Sequence, residues 1–124
     1  MKNGFMIALA LVGTSAYANT VATVFRRDSK LPEELKSRVL AAVEAQCAHV
    51  LTQFGLSESS TTVASERVDQ GVIDYFYTTK LKSQGMDSDG YHPIWNRITV
   101  SSAQWAISNP PEASWEVLQV DCDK

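Results

Sequence analysis

Apolar residues recur every three or four positions through Leu31–Gly55. Leu35, Val39, Val43, Cys47, Val50 and Phe54 form one stripe of an α-helix, and Glu34, Lys36, Arg38, Glu44, Gln46 and Gln53 fall on its other faces. Pro32 suits the first helical position, and Glu33 and Glu34 lie where the helix dipole favours anions. Gly55 can take the left-handed conformation that closes a helix, with Leu56 as its hydrophobic partner. Roughly 23 residues at 1.5 Å each predict a rod of about 35 Å. No other stretch carries this period over such a length.

The other apolar positions read as strands. Asn19–Arg27 is rich in β-branched residues, with Val21, Thr23 and Phe25 on one face, and predicts a first strand. Arg26–Lys30 reads as a polar turn and Ser57–Ser60 as a polar connector. Thr61–Val68 and Val72–Lys82 are separated by Asp69-Gln70-Gly71, a hairpin signature. In the second of these runs Ile73, Tyr75, Tyr77 and Leu81 alternate with polar residues, the period of a half-buried antiparallel strand. Ser83–Gly90 reads as a loop. His92–Trp105 predicts the next strand, with Ile98 and Val100 inward. Asn109–Glu112 must be a loop, because Pro110 and Pro111 have no N–H to give a ladder. Trp115–Cys122 is the last strand, with Leu118, Val120 and Cys122 on one face. The predicted fold is α+β, one long helix on a curved antiparallel sheet in the order β-α-β-β-β-β, with the first strand at an edge or beside the second.

Residues 1–18 read as an export signal. Lys2 gives a positive start, Phe5–Val12 is a short apolar run, and Ala16-Tyr17-Ala18 is a small-x-small cleavage site before Asn19. The run is too short to span a membrane. Residues 19–124 then form a single domain, secreted or periplasmic, and a monomer is expected. The net charge of −3 has no basic stripe within it, which argues against nucleic acid as a partner, and no apolar run reaches membrane length. Two cysteines in an exported chain favour one bridge. Cys47 and Cys122 lie on faces that meet if the helix covers the last strand. Closing a loop of roughly 75 residues contributes about 4 kcal/mol on the loop-entropy model.

Little in the chain looks catalytic. His49 and His92 are the only histidines, and neither has a zinc-ligand spacing. Asp87-Ser88-Asp89-Gly90 resembles the start of a calcium loop, but Ile98 stands where its late Glu belongs. No Gly-x-Ser-x-Gly or phosphate loop is present. A binding protein without cofactor or metal is therefore expected, and not an enzyme. A small hydratase or isomerase would need a pocket between helix and sheet, with Asp74 and His92 as its few acid–base candidates. In a meander, alternate turns share an end, which brings the Arg67–Gly71 hairpin and the Ile107–Ser114 loop together. Trp105 and Trp115 flank the second of these, either as exposed anchors or as cover for the core.

Arg67-Val68-Asp69-Gln70-Gly71-Val72-Ile73-Asp74-Tyr75-Phe76, in this element order, resembles the cystatins, inhibitors of papain-like cysteine proteases. Members carry a Gln-x-Val-x-Gly hairpin followed by a β-rich strand. They plug the protease cleft with an N-terminal segment, this hairpin, and a second one bearing Pro-Trp. The resemblance covers residues 19–124. It implies protease contacts at Asn19, Thr20, Arg67, Val68, Asp69, Gln70, Gly71, Pro110, Pro111 and Trp115. Gly71 matches the hairpin glycine. Arg67 stands in place of Gln and Asp69 in place of Val, and the adjacent Pro-Trp pair, the N-terminal glycine and the late disulfides of animal members are absent. An Asp in an apolar wedge meets a desolvation cost in a cleft. The resemblance therefore implies a papain-like protease as partner, with a non-protease partner of the same fold as the alternative.

Overall fold

A computed structural model of the chain describes residues 20–51, 55–69, 71–86, 90 and 93–122. The proposed leader, Asn19, Gln53, Phe54, Gln70, Asp87–Asp89 and His92 lie outside the described residues. The elements are a one-turn helix α1 (Val21–Val24), the main helix α2 (Glu33–Gln46), a 3-10 turn (Ala48–Val50), β1 (Leu56–Asp69), β2 (Val72–Met86), β3 (Pro93–Gln104), a second 3-10 turn (Pro111–Ser114) and β4 (Trp115–Cys122). The strands form one antiparallel meander in the order β1-β2-β3-β4. The α+β class and the helix packed on an antiparallel sheet are as the periodicities predict.

The expected first strand is α1 instead. Val24, Phe25 and Asp28 are all buried. A strand would send the adjacent Val24 and Phe25 to opposite faces, whereas helical spacing turns both inward. Thr20 caps this turn, its hydroxyl accepting the Thr23 N–H at 3.1 Å. Among the described residues the sheet therefore has four strands rather than five.

The main helix is also shorter than its pattern. Leu35, Val39, Val43 and Cys47 are buried as the stripe requires, but the α-conformation stops at Gln46. Cys47 is bonded to Cys122, the final residue of β4, with Cα atoms 5.6 Å apart. Further helix in that direction would run beyond the strand. The 3-10 turn keeps Val50 buried and offers its carbonyl to the Ser83 hydroxyl at 2.8 Å. Gly55 does adopt a positive φ of 75°, as the lead-in to β1 and not as the end of α2.

Both strands of the first hairpin outgrow their predicted limits. Ser57–Ser60 is part of β1, with a bulge between Ser57 and Ser60. Ser83–Met86 continues β2, pairing Ser83 with Asn96 and Gly85 with Ile94. Polar composition made both segments read as loops.

The core lies between α2 and the inner sheet face. Leu35, Val39, Leu40 and Val43 meet Tyr77, Leu81, Ile98 and Val100, while Val24, Phe25 and Leu31 close the side above β1. The helix follows β4 in direction. The Arg38 guanidinium donates to the Trp115 carbonyl at the start of the strand at 2.8 Å, and the disulfide ties the other end. A bulge between Ser101 and Ser102 leaves two consecutive β4 residues, Leu118 and Gln119, outside the inward set. Trp115, Val117, Val120 and Cys122 pack on the core, and Leu118 is 45% exposed. The predicted inward set of Leu118, Val120 and Cys122 is therefore corrected at Leu118.

Asp28 is the polar centre of this side. Its carboxylate accepts the Lys30 N–H at 3.1 Å, the Leu31 N–H at 3.3 Å and the Thr61 hydroxyl, and Thr61 meets Thr79 at 3.0 Å. Asp28, Thr61 and Thr79 are all buried. The Arg26–Lys30 segment is thus more than a solvated turn, because one carboxylate fastens the link between the helices to β1, and Thr61 carries the contact on to Thr79 of β2.

Candidate functional site

The loop end of the sheet

The meander brings the β1–β2 turn and the β3–β4 connection to one end. Gln104 pairs with Tyr75 on one side and with Trp115 on the other, so residues 72–74 of the first hairpin overhang the end of β3. Asp74 bridges the gap, its carboxylate accepting the Ala106 N–H at 2.7 Å. The two segments are therefore fastened together.

Each segment has its own closure. Gly71 carries a φ of 87°, which suits glycine, and the nearest atom to a Cβ placed there is an Arg67 guanidinium nitrogen at 3.9 Å. Open space surrounds the turn, so a substitution there is opposed by the backbone and not by crowding. In the second segment Trp105 N–H donates to the Ser114 carbonyl at 2.8 Å and Ala113 N–H to the Pro110 carbonyl at 3.0 Å. The Asn109–Pro110 bond is cis.

Both connections carry exposed apolar side chains. Val68, Val72 and Ile107 are among the exposed large hydrophobic residues, Ile107 at 65%, and Pro110 and Pro111 are exposed. Around them stand Glu66, Asp69, Asp74, Glu112 and Glu116, with Arg67 as the cation of the first hairpin. The end as a whole is an apolar ridge with a mainly acidic border.

The two tryptophans part to opposite faces. Trp115 is half-buried against the core on the inner face. Trp105 is half-buried on the outer face, edge-on to Phe76 at 5.6 Å, with its indole N–H donated to Glu116 at 2.8 Å. Both brace the connection from behind and leave the projecting surface to Ile107, Pro110 and Pro111.

Arg67, Val68, Asp69 and Gly71 therefore share an end with Pro110, Pro111 and Trp115. Thr20 is placed at the cap of α1, which packs on β1 and α2. Asn19 and Gln70 are outside the described residues. Val72, Asp74 and Ile107 were not among the expected contacts. Asp74 reads as an ordinary outward residue of an alternating strand, and nothing in its neighbours announces the bond to Ala106.

Near this end on the inner face, Tyr77 donates to the Gln104 side chain at 3.4 Å. Burial, with Tyr75 as a smaller contributor, pushes the Tyr77 phenol above its ordinary pKa. The opposite residue, Ser102, is buried, and its hydroxyl has no hydrogen-bond partner among the described residues. His49 is exposed on the 3-10 turn. Among the described residues no three His, Cys, Asp or Glu side chains are grouped to hold a metal, and no helix is long and apolar enough to cross a membrane.

No family model, curated protein or solved structure matches this chain.

Proposed function

We propose that the chain is an exported cystatin-like binding domain that occludes the cleft of a papain-like cysteine protease with the loop end of its sheet. One observation carries this reading: two projecting connections, fastened by the Asp74–Ala106 hydrogen bond, expose Val68, Val72, Ile107, Pro110 and Pro111 along one end. Such a ridge has lost part of its conformational freedom before it meets a partner, which lowers the cost of binding. Its apolar crest suits a concave site, and no bond in it needs to be cleaved. The cysteine pairing agrees with an oxidising destination.

The test is a titration of papain with the purified oxidised protein. Reversible inhibition with a Kd between about 1 nM and 10 μM is expected. Gly71→Glu, or removal of the residues before Val21, weakens it. No inhibition at about 100 μM contradicts the reading.

Two features favour a second reading, in which the same end engages a non-protease partner. The segment after Thr20 is a helical turn, where the element order behind the resemblance has a first strand. Arg67 and Asp69 place both charges at the hairpin tip, where the family is less polar. A photo-crosslinker at Ile107 that captures a non-protease envelope component, with papain unaffected, selects this reading.

A further inference from the structure

The two margins of the sheet are built differently. β4 has 8 residues, is bulged near Leu118, carries Glu116 and Asp121, and is tied to α2 by the disulfide. These are ordinary devices that keep an edge from pairing. β1 has 14 residues, with neither Pro nor Lys. Its bulges lie between Ser57 and Ser60 and between Arg67 and Asp69. Between them Ser60–Arg67 is a regular run, paired among the described residues with β2 on one side only. Every residue from Thr62 to Asp69 is exposed. Among the described residues no backbone hydrogen bond outside the β1–β2 ladder reaches this run.

The run can face its own copy without a charge conflict or a steric one. Thr61 and Ser65 flank Thr62 and Ala64, which flank Val63. An antiparallel partner of the same sequence, with its two-fold axis at Val63, sets Val63 against Val63, Thr62 against Ala64, Thr61 against Ser65 and Ser60 against Glu66. No like charges face each other, and the pairing uses the interval between the bulges. Val63, 44% exposed on the inner face, would be covered by its own copy.

We propose that the free margin of β1 takes a second copy of this chain, joining two sheets edge to edge into one of eight strands about a two-fold axis at Val63. This revises the expectation of a monomer. Main-chain hydrogen bonds supply the attraction, and the small side chains on both faces offer no obstruction. An isologous contact of this kind closes on itself, while the guarded β4 margin stops further growth. Antiparallel pairing sends the two loop ends in opposite directions, so each remains open to its own partner. The proposal is independent of the protease reading.

Sedimentation or light scattering of the oxidised protein over about 5–500 μM tests it, a range suited to a small interface. The expected result is a rise toward twice the mass of one chain. Val63→Asp, at an exposed position outside the loop end, abolishes the rise and leaves the circular dichroism spectrum and any papain inhibition unchanged. Val63→Cys, mildly oxidised with the native bridge intact, gives a covalent dimer linked through position 63. A chain monomeric at every concentration overturns the proposal. So does a dimer that Val63→Asp leaves intact, or a monomer that adds a foreign extended peptide along β1.

Discussion

Replacing Asp28 with Ala removes one buried carboxylate, and with it the acceptor of the Lys30 N–H, the Leu31 N–H and the Thr61 hydroxyl. A hydrogen bond to a charged group contributes about 1.5–3 kcal/mol net, and an orphaned buried donor costs about 1–3 kcal/mol. Thr61 keeps Thr79 as a partner, so its loss is partial, whereas the Leu31 N–H, on a buried residue, loses its acceptor. The expected loss is about 3 kcal/mol, a large share of the 5–15 kcal/mol typical of a domain. In urea, at a slope of about 1.5 kcal/mol/M, the midpoint falls by about 2 M with the slope unchanged. Asp28→Asn keeps an acceptor for the two backbone donors and loses about half as much. The cycle with Thr61→Val isolates the side-chain pair and gives a coupling of about 1–2 kcal/mol. A loss below about 0.5 kcal/mol for Asp28→Ala, or strict additivity with Thr61→Val, refutes the role given to this carboxylate.

Reducing the bridge, or replacing both Cys47 and Cys122 with Ser, frees a loop spanning 75 positions and lowers stability by about 4 kcal/mol in chemical unfolding. Val120→Ala costs about 2 kcal/mol in the same assay and Leu118→Ala under about 0.5, because the β4 bulge turns only the first of these inward. Ser102→Ala is neutral or stabilising by up to about 1 kcal/mol, since it removes a buried hydroxyl with no partner; a loss above that value contradicts the assignment. The raised Tyr77 pKa means that the folded state holds the phenolic proton more tightly than the unfolded chain does. Its contribution is complete below the ordinary phenol value of 10.0 and is lost as pH rises through the folded value, so stability declines in that alkaline range and ultraviolet titration shows Tyr77 ionising late.

The helix stripe and the alternation of Tyr77 with Leu81 were legible because burial on one face leaves a period in the chain. The pairing of Cys47 with Cys122 followed from placing two such faces together. The limits of α2 were not legible: Gln46 and Cys47 carry no stop signal, and the helix ends because its cysteine is held at the end of β4. Ser57–Ser60 and Ser83–Met86 looked like loops because serine and glycine favour turns, yet ladder bonds to a neighbouring strand do not depend on side-chain type. Val21, Val24, Phe25 and Asp28 do carry helical spacing, and the β-branched composition of Asn19–Arg27 masked it. At the candidate site, the shared end followed from strand count alone. The Asp74–Ala106 bond joins positions far apart in sequence, and the inward turn of Trp115 depends on strand register, so neither leaves a local mark.

The central functional claim is that the loop end makes the contact. Amide spectra of the isotopically labelled oxidised protein, recorded as papain with a blocked active-site thiol is added, read this position by position. Shifts or broadening concentrated at Val68–Val72 and Ala106–Ala113, with Ala41 and Glu44 on the exposed side of α2 unmoved, are predicted. Changes confined to α2 or the β4 margin, or a spectrum that papain leaves untouched, contradict it.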